Sequence, residues 1–330
     1  HTNLAHTLLS GGNFQDGWKE FQWRLKEPKI QRHLSSLPGS LWTGNDISRK
    51  SVLVLCEQGA GDCFQFIRFL PILADRAEDV ILSVPPNLLR ILQNSSSDYT
   101  VISMDTSTPN CDTHVPLMGL PGILDIGDIP IPIPYLRAEE DLVDMWANRL
   151  ADEKLKVGLT WQGNRAYETD YLRSISFNEI SPLIESGLAE FYAIQKGSVA
   201  KNIPTMPNLL NLGPDLDNKD AFIDTAAVMM SLDLIITSDT ASAHLAGALG
   251  KPVWVLLSSA PDWRWQLDRE DSPWYPTMRL FRQQRPGDWA QVLEEVGHCL
   301  FNYGAQISTS RLASAEAASV HPLKPPKVTA

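Results

Sequence analysis

Two short stretches of this chain hold residue types suited to chemistry. In the first, Ser238-Asp239-Thr240-Ala241 follows the apolar, β-branched run 233–237 and opens a small-residue segment that Gly250-Lys251-Pro252 stops. That pattern reads as strand, polar turn, helix, strand. A helix N-terminus exposes unpaired N–H groups and a partial positive charge, which suits a phosphate. Ser, Asp and Thr are equally ordinary helix caps, so capping turn and anion site both remain open. His244 lies inside the helix, one turn past the loop, where a packed or supporting role fits best. In the second stretch, Glu57-Gln58-Gly59-Ala60-Gly61-Asp62 joins the apolar strand 51–55 to a helix carrying Phe66, Phe69, Leu70 and Leu73. Gly59 and Gly61 permit positive φ or close approach of a ligand to the backbone. The spelling is neither Gly-x-Gly-x-x-Gly nor a Walker A loop, so tight turn and ligand loop again both stand. Asp62 sits where a helix cap would point a carboxylate into a crevice.

Further candidates are isolated. Arg173 offers a planar fork that pairs well with a diphosphate, or else forms a surface salt bridge. Lys196, in the loop 195–198, faces a phosphate or nucleobase, or else solvent. Trp263, Trp265, Trp274 and Tyr275 crowd one segment with Arg264. They either wall a sugar or nucleobase or fill a packed loop at the domain edge.

The elements that must hold these residues alternate between strand and helix. Strands are expected at 51–55, 79–84, 100–104 and 114–116, then at 155–161, 190–195, 208–212, 233–237, 252–257 and 278–282. Helices fall between them, including 138–151, 220–232 and 288–301. This pattern predicts mostly parallel sheets in an α/β fold. Residues 1–27 read as a helical hairpin, with Leu4, Leu8 and Leu9 before Gly11-Gly12-Asn13, and Phe14, Trp18, Phe21 and Leu25 after it. Such a pair either stacks on further repeats or packs on the body of the protein. Residues 28–50 carry turn formers and read as a connector. Residues 121–136 read as extended. The tail, 305–330, is rich in Ala, Ser, Thr and Pro and reads as disordered.

Composition narrows the function classes. The chain has 330 residues, 43% of them hydrophobic and 20% charged, as in a globular protein of two domains. A net charge of −11 argues against general nucleic-acid binding. No apolar run approaches the length of a membrane helix, and no signal peptide is visible. The four cysteines, Cys56, Cys63, Cys111 and Cys299, lack Cys-x-x-Cys spacing. They read as small buried hydrophobes in a reducing, cytoplasmic setting rather than as a zinc site or disulfide framework.

The stretch 235–257, with Asp262-Trp263-Arg264-Trp265 and Ser272-Pro273-Trp274-Tyr275-Pro276, resembles the glycosyltransferase family 9 domain found behind tetratricopeptide repeats in bacteria. That domain is related to the lipopolysaccharide heptosyltransferases. The resemblance covers about 41–300. It implies a GT-B arrangement: a tetratricopeptide-like hairpin (1–27), an N-terminal Rossmann-like acceptor domain (28–140), a C-terminal Rossmann-like donor domain (141–304) and the tail. It implies transfer of a sugar from a nucleotide-activated donor to an acceptor hydroxyl on a protein, flagellin-like, or on a glycan, with no metal and no cofactor. By the same resemblance Gly61-Asp62 matches a loop whose Asp is the base on the acceptor, with Glu57, Gln58 and Gly59 before it. Trp161-x-Gly163 and Arg173 match a donor-phosphate turn; Lys196, Ser238, Asp239, Thr240, Ala241 and His244 complete the donor side. No Asp-x-Asp metal motif accompanies them. The alternatives are a degenerate protein-binding module of the same fold and a nucleotide-sugar epimerase.

Overall fold

The computed structural model describes residues 1–130, 133–150 and 154–319, with side chains through Leu312. Two sheets of parallel strands form the body. The first holds β1 (Ser40–Leu41), β2 (Ser51–Leu55), β3 (Asp79–Val84), β4 (Thr100–Ser103) and β5 (Thr113–Pro116), ordered β1-β5-β2-β3-β4. The second holds β6 (Lys156–Thr160), β7 (Glu190–Ala193), β8 (Leu209–Asn211), β9 (Leu234–Ser238), β10 (Val253–Leu257) and β11 (Met278–Arg282), ordered β11-β10-β9-β6-β7-β8. Every residue of β9 and β10 is buried, as expected of parallel strands covered on both faces. In each sheet the chain reverses its direction of travel once, at β2/β5 and at β6/β9. Crevices at such switch points, outside the carboxyl ends of the strands, hold ligands in open α/β sheets. The turns after β2, β6 and β9 all leave from these points.

Strand placement follows the hydrophobic runs; the connecting segments differ from expectation. Residues 28–50 are more than a connector: they form the Pro28–Ser35 helix and edge strand β1, paired with β5. Pro28 lies at the start of that helix, where its missing N–H costs nothing. In 121–136 the chain first makes the Leu120–Ile123 helix; residues 131 and 132 lie outside the described residues. The helix expected at 138–151 spans Glu140–Ala147. The tail departs most. The last helix runs Trp289–Ser319, because Ala-rich sequence favours continuation of a helix already begun. Tyr303 and Ile307 pack on the core of the second sheet, and Arg311 pairs with Asp233 at 2.8 Å. Residues 320–330 lie outside the described residues.

The N-terminal helices Thr2–Ser10 and Phe14–Phe21 pack on the body. Trp18 is 1% exposed and lies 6.0 Å from Phe66, 5.5 Å from Trp263 and 6.2 Å from Trp274, ring centre to ring centre. This wedge joins three remote parts of the chain. Arg68 ties the halves together beside it, donating to the Trp274 carbonyl at 2.7 Å and the Tyr135 hydroxyl at 2.8 Å. Its guanidinium also stacks 4.6 Å from the Tyr275 ring. Carbonyls and ring faces hold this buried cation.

Candidate active site

A cleft of about 1020 Å³ opens between the turns after β2, β6, β7 and β9. One wall is built first by the Ala241–Ala248 helix. The N-cap, Thr240, makes no side-chain capping bond; its hydroxyl faces Thr237 Oγ1 at 3.2 Å instead. The first-turn N–H groups therefore lack a side-chain acceptor at the floor of the cleft, as an anion site requires. Across the switch point, Gly163 donates its N–H to Ser174 Oγ at 3.0 Å. A Cβ there would sit 2.2 Å from Asp170 Oδ1 and 2.9 Å from an Arg173 nitrogen. Glycine is thus required for Asp170 to orient Arg173, whose Nε donates to Asp170 Oδ1 at 3.0 Å. Arg173 keeps its remaining donors at the cleft wall beside Tyr167.

Gln195, buried at the end of β7, braces this side. Its amide oxygen accepts the N–H groups of Trp161 at 3.1 Å and Gln162 at 3.0 Å. Lys196 lines the cleft but spends its ammonium on the carbonyls of Gly213 and Leu216.

The opposite wall is the Gln58–Asp62 loop. Gln58 adopts φ 61°, a left-handed conformation that a non-glycine residue holds only at a cost. Asp62 lies in the first turn of the Ala60–Phe66 helix and accepts the Gly59 N–H at 2.8 Å. Its other oxygen accepts from Arg264 of the opposite half. Gly61 touches the facing helix: a Cβ there would lie 3.0 Å from His244 and 3.3 Å from the Ala241 Cα. The two helix N-termini are therefore in direct contact at the bottom of the cleft.

Electrostatics separate the carboxylates. Burial and the nearby Asp262 push the Asp239 carboxyl up to about 6, against the pull of Trp265, Arg173 and Arg264. Burial, helped by Arg264, Arg68 and Arg173, holds His244 well below its ordinary value, so it is neutral at pH 7. His244 stacks on Trp265 and shares a 3.1 Å hydrogen bond with the Tyr275 hydroxyl.

Eleven expected residues line the cleft together: Gln58, Gly59, Gly61, Asp62, Gly163, Arg173, Lys196, Asp239, Thr240, Ala241 and His244. Three do not. The Trp161 side chain is fully buried against Phe177, in the core behind the turn. Ser238 is fully buried at the end of β9. Glu57 turns away to Arg24, with two bonds of 2.7 and 2.8 Å, and to the Met118 N–H. Trp263, Trp265, Trp274 and Tyr275 are buried packing, which decides between the two readings of that segment. Cys56 and Cys63, expected as separate thiols, are joined as a disulfide with Cα atoms 5.8 Å apart; folding of the glycine turn brings the two ends together. Sequence reasoning named Arg264 only as part of the aromatic segment and missed its pairing with Asp62, and it missed Asp262 and Gln195 as site residues. The charges flanking Trp263 were the available signal for Arg264 and Asp262.

Comparison with known proteins places this architecture. No family model matches the chain. The fold is that of family 9 glycosyltransferases. It superposes on a family 9 glycosyltransferase from Veillonella parvula with a TM-score of 0.53 at 11% identity, over 77% of this chain and 98% of that one. It superposes on the ADP-heptose lipopolysaccharide heptosyltransferase II of E. coli with a TM-score of 0.54 at 14% identity, over 77% and 99%. For TibC, a dodecameric iron-containing glycosyltransferase of enterotoxigenic E. coli, the TM-score is 0.50 at 11% identity, over 81% and 78%. In sequence the chain is similar to protein FlbA of Caulobacter vibrioides, 25% identical over 335 residues. That match covers 91% of this chain and 54% of FlbA, so the chain spans about half the length of its curated relative. Among the described residues, no helix is long and apolar enough to cross a membrane.

Proposed function

We propose that this chain is a glycosyltransferase that moves a sugar from a nucleotide-activated donor to an acceptor hydroxyl, as a cytoplasmic enzyme needing neither metal nor cofactor. The observation that carries this reading is an uncapped helix N-terminus and Arg173 on one wall of a cleft, with Asp62 on the other. The donor diphosphate lies on the first-turn N–H groups of the Ala241–Ala248 helix and on Arg173. These contacts strengthen as charge develops on the leaving diphosphate. Asp62 takes the acceptor proton as the acceptor oxygen bonds to the anomeric carbon. The bond from that carbon to the diphosphate breaks, and its electron pair leaves with the phosphate oxygen. The donor is a nucleoside diphosphate sugar, as the name of the ADP-heptose neighbour suggests. The tetratricopeptide-like hairpin favours a protein acceptor, flagellin-like, over a glycan.

A binding module of the same fold is the second reading. One observation favours it: both Asp62 oxygens already accept protein hydrogen bonds. Thermal unfolding with UDP, GDP, ADP, CMP and their sugar conjugates separates the two. A ligand at about 100 times its Kd stabilises the fold by roughly 2.7 kcal/mol. The transferase reading expects one nucleotide to stand out and Arg173→Ala to abolish its shift. A flat panel favours the module.

A further inference from the structure

One buried side chain joins the two walls of the cleft. Arg264 is 8% exposed and uses every edge of its guanidinium. Nη2 donates to Asp62, Nη1 to Asp262 at 2.8 Å and Nε to Gln65 Oε1 at 2.6 Å. Its carbon lies 4.4 Å from the Trp263 ring centre. Asp62 and Gln65 are three residues apart on the Ala60–Phe66 helix and so share a face. Asp262 and Trp263 belong to the loop after β10. A single planar fork is therefore bonded to both halves of the molecule, and only arginine has that shape.

The setting is electrostatic as well as mechanical. Around Asp62 stand Arg264 and Asp262 from the opposite loop, Glu57 from its own loop, and Asp239 and His244 from the facing turn. Arg264 is the cation paired directly with Asp62, and its charge also acts on Asp239. The remaining Asp62 oxygen is fixed by the Gly59 N–H. Removing Arg264 would leave the carboxylates of Asp62, Asp239 and Asp262 near one another in a partly desolvated cleft, a costly arrangement.

We propose that Arg264 is a positioning residue that holds the Asp62 carboxylate over the N-terminus of the Ala241–Ala248 helix. This rests on the reading of Asp62 as the base of a sugar transferase. A brace with no part in the reaction would give the same packing but would leave kcat unchanged when the fork is lost.

Two measurements test it. The first needs no substrate: thermal unfolding of Asp62→Asn, Arg264→Gln and the double variant. Arg264→Gln lowers Tm by several degrees, and adding Asp62→Asn to it restores about 2 °C or more, since the unpaired carboxylate is gone. Equal effects of Asp62→Asn in both backgrounds would overturn the proposal. Should Arg264→Gln not fold, Arg264→Lys, which keeps charge but loses the fork, takes its place in the cycle. The second follows nucleoside diphosphate release from UDP-, GDP- and ADP-sugars. Arg264→Lys lowers kcat by about 10- to 100-fold with donor KM little changed. Unchanged kcat in Arg264→Lys, with Asp62→Asn inactive, would sink the positioning role alone. A wild-type protein silent with every donor would sink the transferase reading itself, and with it the base that Arg264 positions.

Discussion

The two turns that meet at the bottom of the cleft look alike in outline and differ in how they are held. The turn after β9 is largely self-contained: Thr237 and Thr240 bond one another across it, and its helix follows at once. The turn after β2 depends on distant parts of the chain. Arg24 from the N-terminal helices fixes Glu57 at its start, and Arg264 from the opposite half fixes Asp62 at its end. The Ala241–Ala248 helix presses on Gly61 in between. Their charges differ to match. Asp62 is locked in an ion pair, whereas Asp239 has a carboxyl pushed up to about 6 and titrates near neutrality. The turn after β9 is a local design; the turn after β2 exists only once remote segments have closed around it.

Substitutions can break that contrast, and the largest effect belongs to the dependent turn. Arg24→Ala leaves Glu57 buried without its cation, and burial already raises that carboxyl. Losing one partner of such a pair costs about 2–4 kcal/mol, read by chemical denaturation. A cost below about 0.5 kcal/mol, typical of an exposed pair, would show the turn to be as self-contained as its counterpart.

Gly61→Val tests the contact between the turns. Its Cβ would meet His244 at 3.0 Å and backbone at 3.3 Å. Overpacking of this kind costs about 1–3 kcal/mol. Neutral behaviour would mean that the two helices separate freely.

Asp239→Asn gives the smallest change and sharpens the electrostatic half of the comparison. The carboxyl rises from an ordinary 3.8 to about 6 on folding. The native state therefore binds its proton more tightly than the unfolded state does. Stability falls as pH rises through that window, and the full penalty is present above it. A shift of that size corresponds to about 3 kcal/mol, and solvent screening at the partly exposed Asp239 brings the expected gain of the variant, which cannot ionise, to about 1–2 kcal/mol at about pH 8. The gain vanishes towards about pH 4, below the window. Denaturation curves at both pH values check it; a pH-independent difference would place Asp239 outside the desolvated floor of the cleft.

The same contrast explains what was legible in the sequence. Strand runs such as 51–55, 233–237 and 253–257 announce buried parallel strands, and the caps and glycines beside them announce the turns. The turn after β9 needs little else, so Asp239, Thr240 and Ala241 were legible as a strand-to-helix turn. The family resemblance, not spacing, pointed to Asp62. Its partner Arg264 is 202 residues away, and Glu57 meets Arg24 across 33; no local pattern encodes such pairings. Trp161 misled because the same motif position serves the core with its side chain and the cleft with its backbone neighbours. The aromatic run 263–275 was undecided because composition does not say which way a ring faces. The Ala-rich start of the tail misled because low aromatic content fits a long helix as well as a disordered segment.

The wedge of Trp18, Trp263 and Trp274 carries a consequence for biosynthesis. Trp18 emerges from the ribosome about 250 residues ahead of the two indoles that cover it. At about 5–20 residues per second, its apolar face waits on the order of 10–50 s for them. Until then the helices Thr2–Ser10 and Phe14–Phe21 expose an apolar face, and only the segment carrying Trp263 and Trp274 closes it.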